Sequence, residues 1–420
     1  MGCTKTPGLQ TRLLHEGRRP EHHGSTLPPI YQTSAFTHAS AEELEKVFHH
    51  QAPGYAYTRI GNPTAADFEG RMAALEGGIG AVSCASGMSA IAMALLNVLS
   101  SGDEVIASSC LFGGTIDLFS DFEKLGIHTR FVVDMTVETV APLINEHTRV
   151  IFTEVIGNPK LNVADVAALA ELAHRHDIPL FVDSTTATPC LIRPIELGAD
   201  VVIHSSSKYI SGSGNAISGI IIDSGRFRWT AERYPAMNGF LKYGPMAFLA
   251  RLRDDTWRNF GPCPAPMNLY LASLGLETLG LRMERLCGNA KALASALKDS
   301  PLFGDVTYPG LSDSPWHDIA GKELSAYGAI LTVRCGSKER AFSVINHLRY
   351  CANATNIGDV RTLVIHPAST IYAFNTEQER LDAGVYDDLI RVSVGLEDAE
   401  DLIGDFIQAA EASNNRENRI

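Results

Sequence analysis

Between residues 65 and 225, short apolar runs rich in β-branched residues alternate with stretches of helical periodicity. The runs fall at 80–84, 103–107, 149–153, 179–182 and 201–203, and 216–223 offers a further strand. Runs of this length bounded by polar residues and Gly or Pro predict buried strands, and the periodic stretches at 89–99 and 165–176 predict helices between them. Strands and helices in that rhythm give a mostly parallel sheet covered on both faces, an α/β domain. Residues 1–64 have a different texture. They are rich in Pro, Gly, His and Thr, with one short amphipathic segment at 41–50, and read as an extended arm that gains order on a second subunit. A long helical pattern starts at Ala265 and includes 271–279. It leads into a smaller α+β region with strands expected at 329–333 and 389–394, and a polar, frayed tail at 414–420. The expected organisation is therefore an arm (1–64), a large α/β domain (65–262) and a C-terminal α+β domain (263–420), without internal repeats.

Chemistry concentrates where two apolar runs end. The run at 201–203 breaks into His204-Ser205-Ser206-Ser207-Lys208-Tyr209, and the run at 179–182 ends in Asp183. In open α/β sheets, ligands bind beyond the carboxyl ends of the strands. A lysine there is partly desolvated, which lowers its pKa and frees the amine as nucleophile or base. Alone, either residue is more simply a strand-terminal surface charge. Together they match the needs of pyridoxal phosphate, an anion for the pyridinium nitrogen and a lysine for the Schiff base. A phosphate site strengthens the pairing. Cys84-Ala85-Ser86-Gly87-Met88-Ser89 joins a strand to a helix, and such turns offer unpaired backbone N–H groups and a positive dipole end to a dianion. The hydroxyls of Ser205 and Ser207 are placed to reach the same anion, or else they cap the strand end. In the arm, Tyr57-Thr58-Arg59 adds a guanidinium suited to bidentate phosphate binding and a phenol.

Composition narrows the class. Hydrophobic residues make up 45% of the 420 and charged residues 20%, as in ordinary globular proteins. The net charge of −13 disfavours nucleic acid and anionic membrane as partners. No apolar run approaches membrane-spanning length, and residues 1–7 lack an apolar signal core. Eight cysteines without C-x-x-C spacing read as reduced thiols rather than a disulfide frame or metal site. A cytoplasmic protein is expected.

With these residues in place, the chain resembles the Cys/Met-metabolism pyridoxal-phosphate enzymes, closest to their O-acetylhomoserine sulfhydrylase branch. The resemblance rests on Tyr57-Thr58-Arg59-Ile60-Gly61-Asn62-Pro63-Thr64, Phe112-Gly113-Gly114-Thr115, Gly157-Asn158-Pro159, Asp183 with Thr185, Ser205-Ser206-Ser207-Lys208-Tyr209, His366-Pro367-Ala368-Ser369-Thr370 and Arg391-Val392-Ser393-Val394-Gly395. It implies the aspartate-aminotransferase-like fold (fold type I) and pyridoxal 5'-phosphate as cofactor. Lys208 would be the catalytic Schiff-base lysine and Asp183 the partner of the ring nitrogen. Ser86, Gly87, Met88, Thr185, Ser205 and Ser207 would surround the cofactor, with Tyr57 and Arg59 reaching in from a neighbouring subunit. Phe112 would stack on the ring, Asn158 would lie near its 3-oxygen, and Arg391 would clamp the substrate carboxylate, with Asn356 and Tyr57 also near the substrate. No metal is implied. The implied reaction is γ-replacement, turning O-acetyl-L-homoserine and a sulfur donor into L-homocysteine and acetate. The donor is free sulfide, methanethiol or a sulfur-carrier protein, and the assembly a homotetramer built as a dimer of dimers. A γ-lyase acting on methionine or cystathionine, or an O-succinylhomoserine-using sulfhydrylase, is the alternative. The chain departs from the family pattern at Phe112, where Tyr is usual, and at Ser184 and Ser213. Asn356 follows the sulfhydrylase form, and Gly113 stands where methionine γ-lyases carry a cysteine.

Overall fold

The computed structural model describes residues 7–19 and 23–417. Seven strands build the large sheet: β1 (Gly80–Cys84), β2 (Glu104–Ser108), β3 (His128–Val132), β4 (Thr148–Glu154), β5 (Leu180–Asp183), β6 (Val201–His204) and β7 (Gly219–Asp223). Their order is β1-β7-β6-β5-β4-β2-β3. β2 to β6 run parallel to one another and to β3, while β7 lies antiparallel between β1 and β6. Side chains alternate across the sheet, so each apolar run feeds two cores. Ile151, Leu180, Val182 and Val202 face one side. Phe152, Phe181, Val201 and Ile203 face the other. The helix Pro63–Glu76 closes the first face with Phe68, Met72 and Leu75, and the helix Gly87–Leu96 closes the second with Ala90, Ile91 and Leu95.

The second sheet has five strands: β8 (Val306–Thr307), β9 (Ile330–Arg334), β10 (Ala352–Asn353), β11 (Leu363–Ile365) and β12 (Leu389–Ser393), in the order β10-β11-β12-β9-β8. It is antiparallel except between β10 and β11. The long helical pattern after Ala265 is two helices, Pro266–Glu277 and Leu279–Asp299, broken at Thr278. The second helix contributes Leu279, Met283 and Leu286 to the large sheet's core and Leu293 and Leu297 to that of the smaller sheet, tying the two together. Its Arg282 donates to the carbonyls of Tyr209 (2.6 Å), Ile210 (3.1 Å) and Gly275 (2.6 Å). The loop after Lys208 is thereby fixed from below. Gly275 permits this approach, since a Cβ there would lie 2.2 Å from the Ile210 carbonyl oxygen.

Several sequence expectations need correction. The edge strand β3 went unforeseen because its side chains are mostly exposed, which removes the apolar alternation. The arm is not extended throughout, since besides the amphipathic segment, which is the helix Ala41–Phe48, it holds an unforeseen helix, Leu9–His15. The helix Ala41–Phe48 buries none of its side chains in this chain. The tail stays helical to Glu417 within Ala399–Glu417, and residues 418–420 lie outside the described residues. So does the N-terminal stretch 1–6, with Cys3. The seven described cysteines are free, and among the described residues no group of three or more His, Cys, Asp or Glu is placed to hold a metal. No described helix is long and apolar enough to cross a membrane.

Candidate active site

Adjacent parallel strands deliver three polar groups to one edge of the large sheet. β4 ends in Glu154, which pairs in register with Asp183 at the end of β5, and Asp183 in turn pairs with Ile203 on β6. The chain leaves β6 through Ser205 and Ser207 to Lys208. A cavity of about 540 Å³ opens here between the two sheets. It is lined by Lys208, Asp183, Thr185, Ser205, Ser207 and Asn158 from the strand ends. Ser86, Gly87, Met88 and Phe112 line it from two helix N-termini, and Asn356 and Arg391 from the smaller sheet's side. Twelve expected site residues thus meet in one space.

Tyr57 and Arg59 do not join them. Tyr57 is exposed, and the Arg59 guanidinium donates to the Arg258 carbonyl at 2.6 Å and lies 5.6 Å from the Tyr57 ring centre. They stand on the surface of this chain, away from its own cavity.

The turn from β1 into the helix Gly87–Leu96 is built to leave donors free. Ser86 is the N-cap and forms a capping box with Ser89, accepting from its N–H at 3.1 Å. The Gly87 and Met88 N–H groups precede the first helical carbonyl acceptor, so they and the positive dipole end remain available to an anion. Gly87 is required by close approach, because a Cβ would lie 2.5 Å from that of Ser205. The Ser205 backbone is anchored by its N–H to Thr185 Oγ1 (2.8 Å). Ser207 is the less free hydroxyl. It donates to the Ser218 carbonyl and accepts from the Ser218 N–H, both at 2.9 Å, as a strand-end cap would.

Electrostatics follow from burial. Lys208 is pulled down to about 8, chiefly by burial and secondarily by the Arg391 charge, so a useful fraction of the amine is unprotonated near neutrality. Its Nζ donates to Asn356 Oδ1 at 2.5 Å. Burial also brings Arg391 down to about 10. Arg391 donates to the Asn356 carbonyl (2.9 Å) and Asn158 Oδ1 (3.4 Å), and its Nε has no partner. That guanidinium keeps donor capacity for a carboxylate. Asp183 is pushed up by burial and held back by Thr185, whose N–H reaches Asp183 Oδ1 at 2.8 Å.

The sequence reading missed Glu154, which lines the cavity and accepts from the Phe112 N–H at 2.7 Å. The signal was present, since Glu154 ends an apolar run just as Asp183 does. Thr186 and Thr355 also line the cavity and carried no motif of their own, and Thr370 enters from the end of the His366-Pro367-Ala368-Ser369-Thr370 motif.

The donor set fits pyridoxal phosphate: a glycine cradle with free amides for the phosphate, a buried carboxyl for the ring nitrogen, an aromatic face and one desolvated amine. The family model for the Cys/Met metabolism PLP-dependent enzymes matches residues 10–411. The homocysteine synthase of Schizosaccharomyces pombe is 41% identical over 96% of this chain and 98% of its own length. The L-methionine gamma-lyase of Fusobacterium nucleatum is 38% identical over 97% of this chain and 99% of its own. A crystal structure from Campylobacter jejuni, named an O-acetylhomoserine (thiol)-lyase and carrying a pyridoxyl-lysine phosphate, superposes with a TM-score of 0.91 at 33% identity, covering 96% of this chain and 99% of that one. On the match of its sequence and the fit of its cavity, the chain belongs to the Cys/Met metabolism PLP-dependent enzyme family.

Proposed function

We propose that this enzyme carries out γ-replacement on O-acetyl-L-homoserine, breaking the Cγ–O bond to acetate and forming a Cγ–S bond from a sulfur donor to give L-homocysteine. The observation that carries this reading is the cavity's single amine. Among the described residues Lys208 is the only lysine lining it, and no Tyr, His or Cys joins it. Bound pyridoxal phosphate supplies an electron sink for the charge left when protons leave the substrate's carbons. The remaining work falls to side chains. The Gly87 and Met88 amides would hold the cofactor's phosphate, Asp183 would pair with its ring nitrogen, and Phe112 would cover its ring. Arg391 grips the substrate carboxylate and so fixes Cα beside Lys208, whose amine takes the proton from Cα and must release it before it takes the next from Cβ. Asn356 Oδ1 aims that amine between the two positions. Phe112 lacks a phenol, so proton traffic rests on Lys208.

Homocysteine synthase and O-acetyl-L-homoserine sulfhydrylase relatives support replacement, and a methionine gamma-lyase relative supports the second reading. Elimination uses the same residues and differs in whether water or a thiolate arrives. The test compares homocysteine formed from O-acetylhomoserine and sulfide with 2-oxobutyrate released from methionine alone. Faster release from methionine would overturn replacement in favour of the lyase, and a preference for O-succinylhomoserine would change the leaving group. The sulfur donor is sulfide, methanethiol or a sulfur-carrier protein, and parallel assays with each separate them.

The proposed assembly is a cytoplasmic homotetramer, a dimer of dimers in which the arm delivers Tyr57 and Arg59 to a neighbour's phosphate site. Their exposure and their absence from the lining of this chain's own cavity are the support. Arg59→Ala and Lys208→Ala, each inactive or weak alone, should regain activity on subunit mixing, because a hybrid dimer contains one site with both native residues. Confirmed hybrids without rescue would place Arg59 in its own chain's site.

A further inference from the structure

We propose that Glu154 is a positioning residue that shares one proton with Asp183 and clamps the peptide unit carrying Phe112. The clamp is visible at both ends of one peptide bond. The Leu111 carbonyl accepts from the Tyr372 hydroxyl at 3.0 Å, and the N–H of Phe112, across the same bond, donates to Glu154 Oε1 at 2.7 Å. One contact comes from the end of β4 and the other from the segment following the 3-10 turn Pro367–Ser369. The aromatic ring that covers the site is thereby held from two sides, although its own side chain is 37% exposed.

The shared proton follows from the company Glu154 keeps. Its register partner is Asp183, and in a parallel pair register partners point to the same face. Both are buried and both line the cavity. No cation in hydrogen-bond contact neutralises either one among the described residues. Lys208 is turned to Asn356, Arg391 to Asn158 and Asn356, and His204 to Glu76 at 2.6 Å. The other groups facing the pair are neutral: the Phe112 N–H, Asn158, Thr185 and the Tyr372 phenol. Two carboxyls side by side in a buried space do not both ionise, so one keeps a proton. Glu154 is the better holder. Burial and the charge of Asp183 push it well up against the pull of the Phe112 and Asn158 N–H groups, whereas the Thr185 hydrogen bonds and the His204 charge favour the anion on Asp183. Thus Asp183 remains the anion and Glu154 supplies a neutral neighbour.

The inference rests on the pyridoxal-phosphate reading for its consequence and not for the proton itself, so two measurements divide the question. Infrared spectra of the cofactor-free protein at pH 8 should contain a protonated-carboxyl band that Glu154→Gln removes. A wild-type protein without that band, or a band untouched by the substitution, overturns the shared proton. With cofactor, Glu154→Gln keeps a neutral side chain and an acceptor for the Phe112 N–H. Its pyridoxal-phosphate Kd and the pH midpoint of the cofactor's visible absorbance should match wild type. Glu154→Leu loses the acceptor, and its Kd should rise about tenfold, the scale of one buried hydrogen bond left unmade. Equal weakening in both variants, or a shifted midpoint in Glu154→Gln, would mean that the native carboxyl acts as an anion. Loss of the cofactor reading would show instead in Lys208→Ala.

Discussion

Lys208→Ala should eliminate turnover and the visible absorbance of bound cofactor while leaving the fold intact. Among the described residues no second amine lines the cavity, so nothing there substitutes for the covalent anchor or for the base. The loss from the base alone is about 10²–10⁴-fold, and loss of the covalent link adds to it. A variant that keeps the band and a comparable rate would remove Lys208 from the centre of the mechanism. Stability carries an independent signature. In the cofactor-free protein Lys208 titrates at about 8, below the ordinary 10.5. The unfolded chain therefore binds more protons between those values, and stability rises with pH across that window. Replacing the amine by an apolar side chain, as in Lys208→Met, removes a buried ammonium. It should stabilise the cofactor-free protein near pH 7 by on the order of 3 kcal/mol, an advantage that fades between pH 8 and 10.5. Urea unfolding at pH 7 and pH 10 checks this. An equal margin at both would show that the lysine is not desolvated in the empty site.

The parts of the site legible in the sequence share one property. Asp183, Lys208 and Ser86 each sit where a strongly apolar run stops, so their placement follows from sheet geometry alone. Arg391 and Asn356 had no such signal. They enter from the smaller sheet, 183 and 148 residues after Lys208 in chain order, and only the resemblance pointed to them. Glu154 was missed for a different reason. Its run had been read to Thr153, one residue short of the strand's end, and the carboxylate fell outside the element that delivers it. Boundaries one or two residues out are harmless for a fold and decisive for a site.

The fold shows the same division. The central strands β4, β5 and β6 are buried on both faces and read as continuous apolar runs. The edge strand β3 is polar because water covers it. The two-helix break at Thr278 was invisible to periodicity, since both helices turn apolar side chains to the same core. What marks the break is Arg282, bound to the Gly275 carbonyl before it and to the Tyr209 carbonyl in the loop after Lys208. That contact depends on the loop after Lys208 being in place, which is tertiary information.

Asp183→Asn should preserve the fold and part of the cofactor binding yet cost about a thousandfold or more in turnover, the scale of a removed electrostatic contact to developing charge. The two side chains have nearly the same shape, and the amide oxygen still accepts from the Thr185 N–H, so the strand end should hold. What changes is the charge. An anion at this position keeps a proton on the ring nitrogen, and the ring then draws electrons from the substrate's Cα. A neutral amide does neither. Binding should suffer less than rate, because on the proposed reading the Gly87 turn would hold the phosphate and Lys208 the covalent link, and the substitution touches neither. The result to look for is a large fall in kcat with a small change in pyridoxal-phosphate Kd, accompanied by a displaced absorbance maximum. If the rate stays near wild type, Asp183 is a strand cap and Glu154 must be tested as the ring-nitrogen partner. If cofactor is lost in proportion to rate, the carboxylate contributes to binding rather than to charge, and the division of labour assigned to this sheet edge is wrong.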